Sequence, residues 1–167
     1  MTNERRVLYL FIVCTLLILG YQAVIFVVTA VSWSSGSQPQ PLADPAEWPL
    51  PLQDLRAAMA ADGFDVASLE VYQLDPLPDE KAIVRMPNSD AALEFLTQRW
   101  ELTPVGSLPP EIERELQRLP DDWQPGDLKQ LQPLESRSVR EQSEGDLYYV
   151  FRSVDGQQIY IRYYFDF

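Results

Sequence analysis

Side chains able to do chemistry are scarce in this chain. Histidine is absent from all 167 residues, Cys14 is the only cysteine, and Lys81 and Lys129 are the only lysines. The commonest general base and metal ligand is therefore missing. Cys14 lies inside an uncharged apolar run, where a thiol behaves as a small hydrophobe rather than a nucleophile. Carboxylates remain: Asp75, Asp79 and Glu80 fall in the segment DPLPDE, and Asp121 adjoins Asp122. Clustered oxygens suit hard cations or paired acid–base work. The spacing fits no calcium loop, however, and the two prolines of DPLPDE fit a solvated charged turn. Glycine-rich phosphate loops, CxxC pairs and glycosylation sequons are also absent. The sequence thus implies no catalytic residue, no metal and no cofactor.

The other chemically distinctive stretch is the C-terminal run LYYVFRSVDGQQIYIRYYFDF, which holds five of the eight tyrosines and three of the seven phenylalanines. Asp155-Gly156 predicts a two-residue type I′ hairpin turn. That turn would place Val150 across from Ile161, Tyr148 from Tyr163 and Arg152 from Ile159. One face of the hairpin then carries Tyr148, Val150, Val154, Ile159, Ile161, Tyr163 and Phe165. The other carries Leu147, Tyr149, Phe151, Tyr160 and Tyr164, with Arg162 among them. A sheet lined by helices on one side needs a single apolar face, so two are a surplus. Tyr149, Phe151, Tyr160, Arg162 and Tyr164 are the candidate partner-binding residues, because tyrosine and arginine are enriched in binding hot spots and a guanidinium can stack on rings. The competing expectation is that residues 121–145 cover this face from within the domain.

The elements that would position these groups begin with residues 7–31, which contain no charge. As a helix they would reach about 37 Å, enough to span a hydrocarbon core of about 30 Å with tilt. Arg5 and Arg6 precede the run and no basic residue follows until Arg56. The positive-inside bias then places residues 1–6 in the cytoplasm and the C-terminal domain outside it, periplasmic or extracellular. A cleaved signal peptide is the alternative, but the run is about twice the usual length of such an apolar core. Thr15, Gln22 and Thr29 recur every seven residues and share one helix face, a candidate transmembrane contact through interhelical hydrogen bonds. Residues 32–51 are rich in serine and proline and read as an extended linker.

Residues 52–167 read as one small domain. Leu52, Leu55 and Met59 stand at helical spacing before Gly63, a suitable left-handed cap. Strands are expected over 67–74 and 81–87. A second helix should start at Asn88 or Ser89 and run towards Trp100, and a third should hold Ile112, Leu116 and Leu119 on one stripe. Residues 121–145 show no period and are expected as loop, anchored by Trp123. With the hairpin, this order predicts an α+β fold: an antiparallel sheet of about four strands with helices mainly on one face.

Charge narrows the function. The chain carries a net −12, and beyond residue 31 it has 11 basic and 24 acidic residues, or −13. Such a field opposes nucleic acid and anionic lipid head groups. The sequence as a whole predicts a single-pass, membrane-anchored accessory or assembly protein, non-catalytic, whose acidic domain binds a protein partner or a second copy. The alternative is an anchored ligand sensor or carboxylate-dependent hydrolase.

Overall fold

The computed structural model describes Gln22, residues 39–75 and residues 80–166. The chain divides into two compact units, Met1–Ser37 and Gln38–Phe167. Among the described residues no helix is long and apolar enough to cross a membrane. The expected span, residues 7–31, lies outside the described residues except for Gln22, which is helical and exposed.

The second unit is an α+β domain built on one antiparallel sheet of seven strands. In chain order these are β1 (Gln40–Leu42), β2 (Glu70–Asp75), β3 (Lys81–Pro87), β4 (Thr103–Pro104), β5 (Leu134–Glu135), β6 (Gly145–Arg152) and β7 (Gln158–Asp166). Their spatial order is β1-β2-β3-β7-β6-β5-β4, every neighbouring pair antiparallel. The four strands expected from sequence form the centre. Three short ones extend it, which corrects the expected strand number.

Helices α1 (Leu50–Ala61) and α2 (Asp90–Trp100) cover one face. The apolar stripe of α1 buries Leu52, Leu55 and Met59, each contributing on the order of 1.5–3 kcal/mol by removal from water. Gly63 follows at φ +85°, and Phe64 N–H reaches back to the Met59 carbonyl (3.0 Å), closing the helix end. At the start of α2 the Ser89 hydroxyl accepts from Ala92 N–H (3.1 Å), the cap that the sequence predicts. Both helices pack on Val71, Val84, Val150, Ile159 and Ile161.

The opposite face has its own core. Helix α3 (Pro110–Leu116) contributes Ile112 and Leu116, and the chain beyond it adds Leu119, Trp123 and Leu131, all packed on Tyr72, Leu74, Ile83, Phe151 and Tyr160. Helices therefore lie on both sides of the sheet, where the sequence had suggested mainly one. Residues 121–145 do wrap the fold, but they contain two 3-10 turns (Asp121–Trp123 and Leu128–Gln130), β5 and the short helix α4 (Arg137–Glu141).

The expected linker is also corrected. From residue 39 onward it belongs to the domain: β1 pairs with β2, Leu42 and Trp48 are buried, and the Trp48 indole donates to the Leu42 carbonyl at 3.0 Å. Proline is compatible with a strand when its nitrogen faces away from the ladder.

The hairpin register is as predicted, Val150 to Ile161, Tyr148 to Tyr163 and Arg152 to Ile159. The turn differs. Gly156 takes positive φ (+71°) but Asp155 does not, and Gly156 N–H bonds to the Ser153 carbonyl at 2.9 Å. The Asp155 carboxylate accepts from Ser153 Oγ (2.5 Å) and Gln157 N–H (3.0 Å), so its own side chain organises the bend. Val154, expected on the inner face, is 43% exposed.

Candidate functional site

Arg162 occupies the middle of β7, opposite Tyr149 on β6 and Ile83 on β3. Its position on an otherwise apolar face puts a fixed charge under α3, and only 4% of the residue is exposed. The helix answers with Glu115, itself 8% exposed. Arg162 Nε donates to Glu115 Oε2 at 3.0 Å and Nη2 to Oε1 at 3.1 Å. This is the two-pronged geometry that suits a guanidinium and a carboxylate. Lys81 Nζ approaches Glu115 Oε1 at 3.7 Å. Tyr164 lies beside both cations, with Arg162 Cζ 4.8 Å and Lys81 Nζ 5.3 Å from its ring centre.

These groups form the floor and wall of a cleft of about 360 Å³ between α3, α4 and the β6–β7 sheet. Glu111, Leu147, Tyr149 and Tyr164 contribute to the lining. Burial raises the Tyr149 phenol above its ordinary range; Glu135 adds to the shift and Arg162 opposes it. The phenol therefore stays protonated at neutral pH and can donate to a ligand. Because Glu115 already neutralises Arg162, the arrangement is better suited to holding a polar contact in place than to proton transfer.

The five candidate contact residues do share this face, yet they divide. Phe151, Tyr160 and Arg162 are buried within the domain, and the rings of Phe151 and Tyr160 stack in parallel at 5.6 Å. They cannot serve as a surface for a partner, since α3 and the following loop already cover them. Tyr149 and Tyr164 are half-buried and line the cleft. The same loop is pinned by Arg85, which bonds Glu70 through Nε (2.8 Å), donates to the Asp122 carbonyl and lies 4.3 Å above the Trp123 ring. The candidate carboxylates Asp121 and Asp122 stand exposed at that turn.

Sequence reasoning overlooked Glu115 and Lys81. The signal for Glu115 was present: it lies between Ile112, Leu116 and Leu119 on the buried stripe of PEIEREL, where an acid needs a counter-charge. Of the transmembrane contact residues, Thr15 and Thr29 lie outside the described residues. So do Asp79 and the side chain of Asp75. Glu80 is described: burial and the nearby Asp146 raise its carboxyl above the usual range. Among the described residues no group of three potential metal ligands comes together. No family model matches the chain, and no curated protein or solved structure matches it either.

Proposed function

We propose that this chain is a single-pass, membrane-anchored accessory or assembly protein whose acidic domain, held outside the cytoplasm, docks a protein partner. The observation that carries the reading is the uncharged run of residues 7–31 behind Arg5 and Arg6, followed by a domain that binds its own linker from residue 39. That pattern is expected of an anchor with the mass of the chain on the far side. The docking surface in this reading is the rim of the cleft, Tyr149, Tyr164 and Glu111, with the Arg162–Glu115 pair as its rigid support. A partner that presents basic and aromatic groups would suit both the rim and the net charge.

Two measurements test this reading. A reporter fused after Phe167 should be active only outside the cytoplasm, and activity confined to the cytoplasm would overturn it. In native membranes, Tyr149→Ala with Tyr164→Ala should release a co-purifying partner while the domain keeps its circular dichroism. Retention of the whole complex by that double variant would remove the cleft from the docking surface. Arg162→Ala is unsuitable as a probe, because it acts through folding.

A further inference from the structure

Beside the start of β5 the sheet opens into a groove. Continuing the register of Leu134 with Val150 brings Pro133 opposite Phe151. The pairing of β5 with β6 is not continued past Leu134, and the Pro133 carbonyl faces the other way, accepting from Val105 N–H at 3.0 Å. Beyond it lies a groove of about 540 Å³, within the size range of small-ligand sites. Its walls include Leu93, Val105, Leu131, Leu134 and Phe151. Among the described residues lining it, Arg152 is the one ionisable group. In a chain of net charge −12, the groove thus combines apolar walls with the polar side chains of Gln130, Gln132 and Ser153 and a single positive charge.

The bonding of Arg152 is incomplete. Nη2 meets Asp90 Oδ1 at 2.6 Å, but the Asp90 side chain is 97% exposed. Its Nε is buried with no hydrogen-bond partner among the described residues. A one-point contact to a solvated carboxylate is weak and readily exchanged, and an unmet buried donor costs free energy. A carboxylate entering the groove could replace Asp90 at Nη2 and fork across the terminal nitrogens of the guanidinium, while its apolar body lies against the leucines.

We propose that this groove binds a small monocarboxylate with an apolar body, held by Arg152, and that Asp90 is the internal carboxylate it displaces. The site is independent of the docking cleft: it lies at the β5 end of the sheet and shares no lining residue with it.

The test uses the full chain in phosphatidylcholine nanodiscs, with empty discs as the blank and ligand-observed NMR titration as the readout. The probes are hexanoate and 4-phenylbutyrate, their primary amides, and N-acetyl-Leu-Val as free acid and as amide. Both small acids should bind, with their amides weaker by about tenfold or more. Arg152→Gln should lose a similar factor, and Arg152→Lys should not restore it, since an ammonium cannot form the fork. Asp90→Asn, an exposed change, should tighten binding several-fold by removing the competitor. The proposal is overturned if neither small acid binds, if amides match acids, or if a folded Arg152→Gln binds as the parent does. Should Arg152→Gln fail to fold, Asp90→Asn decides: unchanged or weaker affinity rejects the displacement. Binding of the peptide acid alone would overturn the small-ligand assignment in favour of a chain terminus.

Discussion

Removing the Glu115 carboxylate would leave the Arg162 guanidinium in the interior without its counter-charge. Glu115→Ala should therefore cost about 3–5 kcal/mol, read as a shift in the urea midpoint. Replacing both partners by apolar groups, Glu115→Leu with Arg162→Met, should recover most of that loss, because the desolvation of two ions disappears with the pair. A single variant as stable as the parent would show that the pair is more hydrated than its geometry implies. Lys81→Met should cost about 1 kcal/mol or less, since its 3.7 Å contact is longer and its side chain more exposed. Gly126 tests a different constraint. It sits at φ +99°, and a Cβ there would lie 3.0 Å from both Cβ and Cγ2 of Val154. Gly126→Ala should destabilise by about 1–3 kcal/mol. Adding Val154→Ala should relieve only the Cγ2 part of the contact, because alanine keeps the Cβ at 3.0 Å, so a full rescue would mean that neither that remaining contact nor the φ carries a cost.

At the level of elements, what was legible in the sequence had a period, a cap or a turn. α1 and α2 were readable from apolar spacing with Gly63 and Ser89 as end signals, and the β6–β7 register followed from Asp155-Gly156 even though the turn took another form. β1, β4 and β5 were not readable, because runs of two or three residues carry no alternation and exist only through their neighbours. The prolines around β1 pointed to a linker for the same reason that they suit an edge. The site was half legible: Arg162 stood out as a charge on an apolar face, whereas its pairing with Glu115 needed the position of α3 over the sheet. Both outermost strands contain a proline, Pro41 in β1 and Pro104 in β4. Val105 N–H points inward to the Pro133 carbonyl (3.0 Å), so the nitrogen of Pro104 points outward. Blunted edges resist pairing with other sheets. Pro41→Val with Pro104→Val should produce concentration-dependent association detectable by light scattering, with the monomer fold retained. A variant that stays as dispersed as the parent would assign edge protection to other features.

For the whole molecule, the balance of carboxylates sets how stability depends on pH. Burial raises the carboxyls of Glu80 and Asp146 above their usual range; Asp146 adds to the shift of Glu80, and Asp54 adds to that of Asp146, against the Tyr163 hydroxyl that donates to Asp146 at 3.1 Å. A carboxyl whose folded value lies above its unfolded one binds its proton more readily in the folded state. Its contribution is fully present below the unfolded value and is lost as pH rises through the folded one. Asp127 and Asp155 oppose this at lower pH. Their carboxyls are held below the usual range, Asp127 first by Gln130 and then by Lys129 N–H, Asp155 first by Ser153 and then by Gln157 N–H. Their contribution is present above the unfolded value and lost as pH falls through the folded one. The two windows do not coincide: the first lies above the ordinary carboxylate range and the second below it. Acidification also relieves self-repulsion in a chain of net charge −12. Stability should thus rise as pH falls from neutrality towards the ordinary carboxylate range, then fall in stronger acid. Asp146→Asn with Glu80→Gln, which keeps the acceptor for Tyr163, should flatten the upper part of that profile in urea midpoints measured across the range. A parent profile that falls steadily from neutral pH would mean that these two carboxyls are ionised as easily in the folded chain as in the unfolded one.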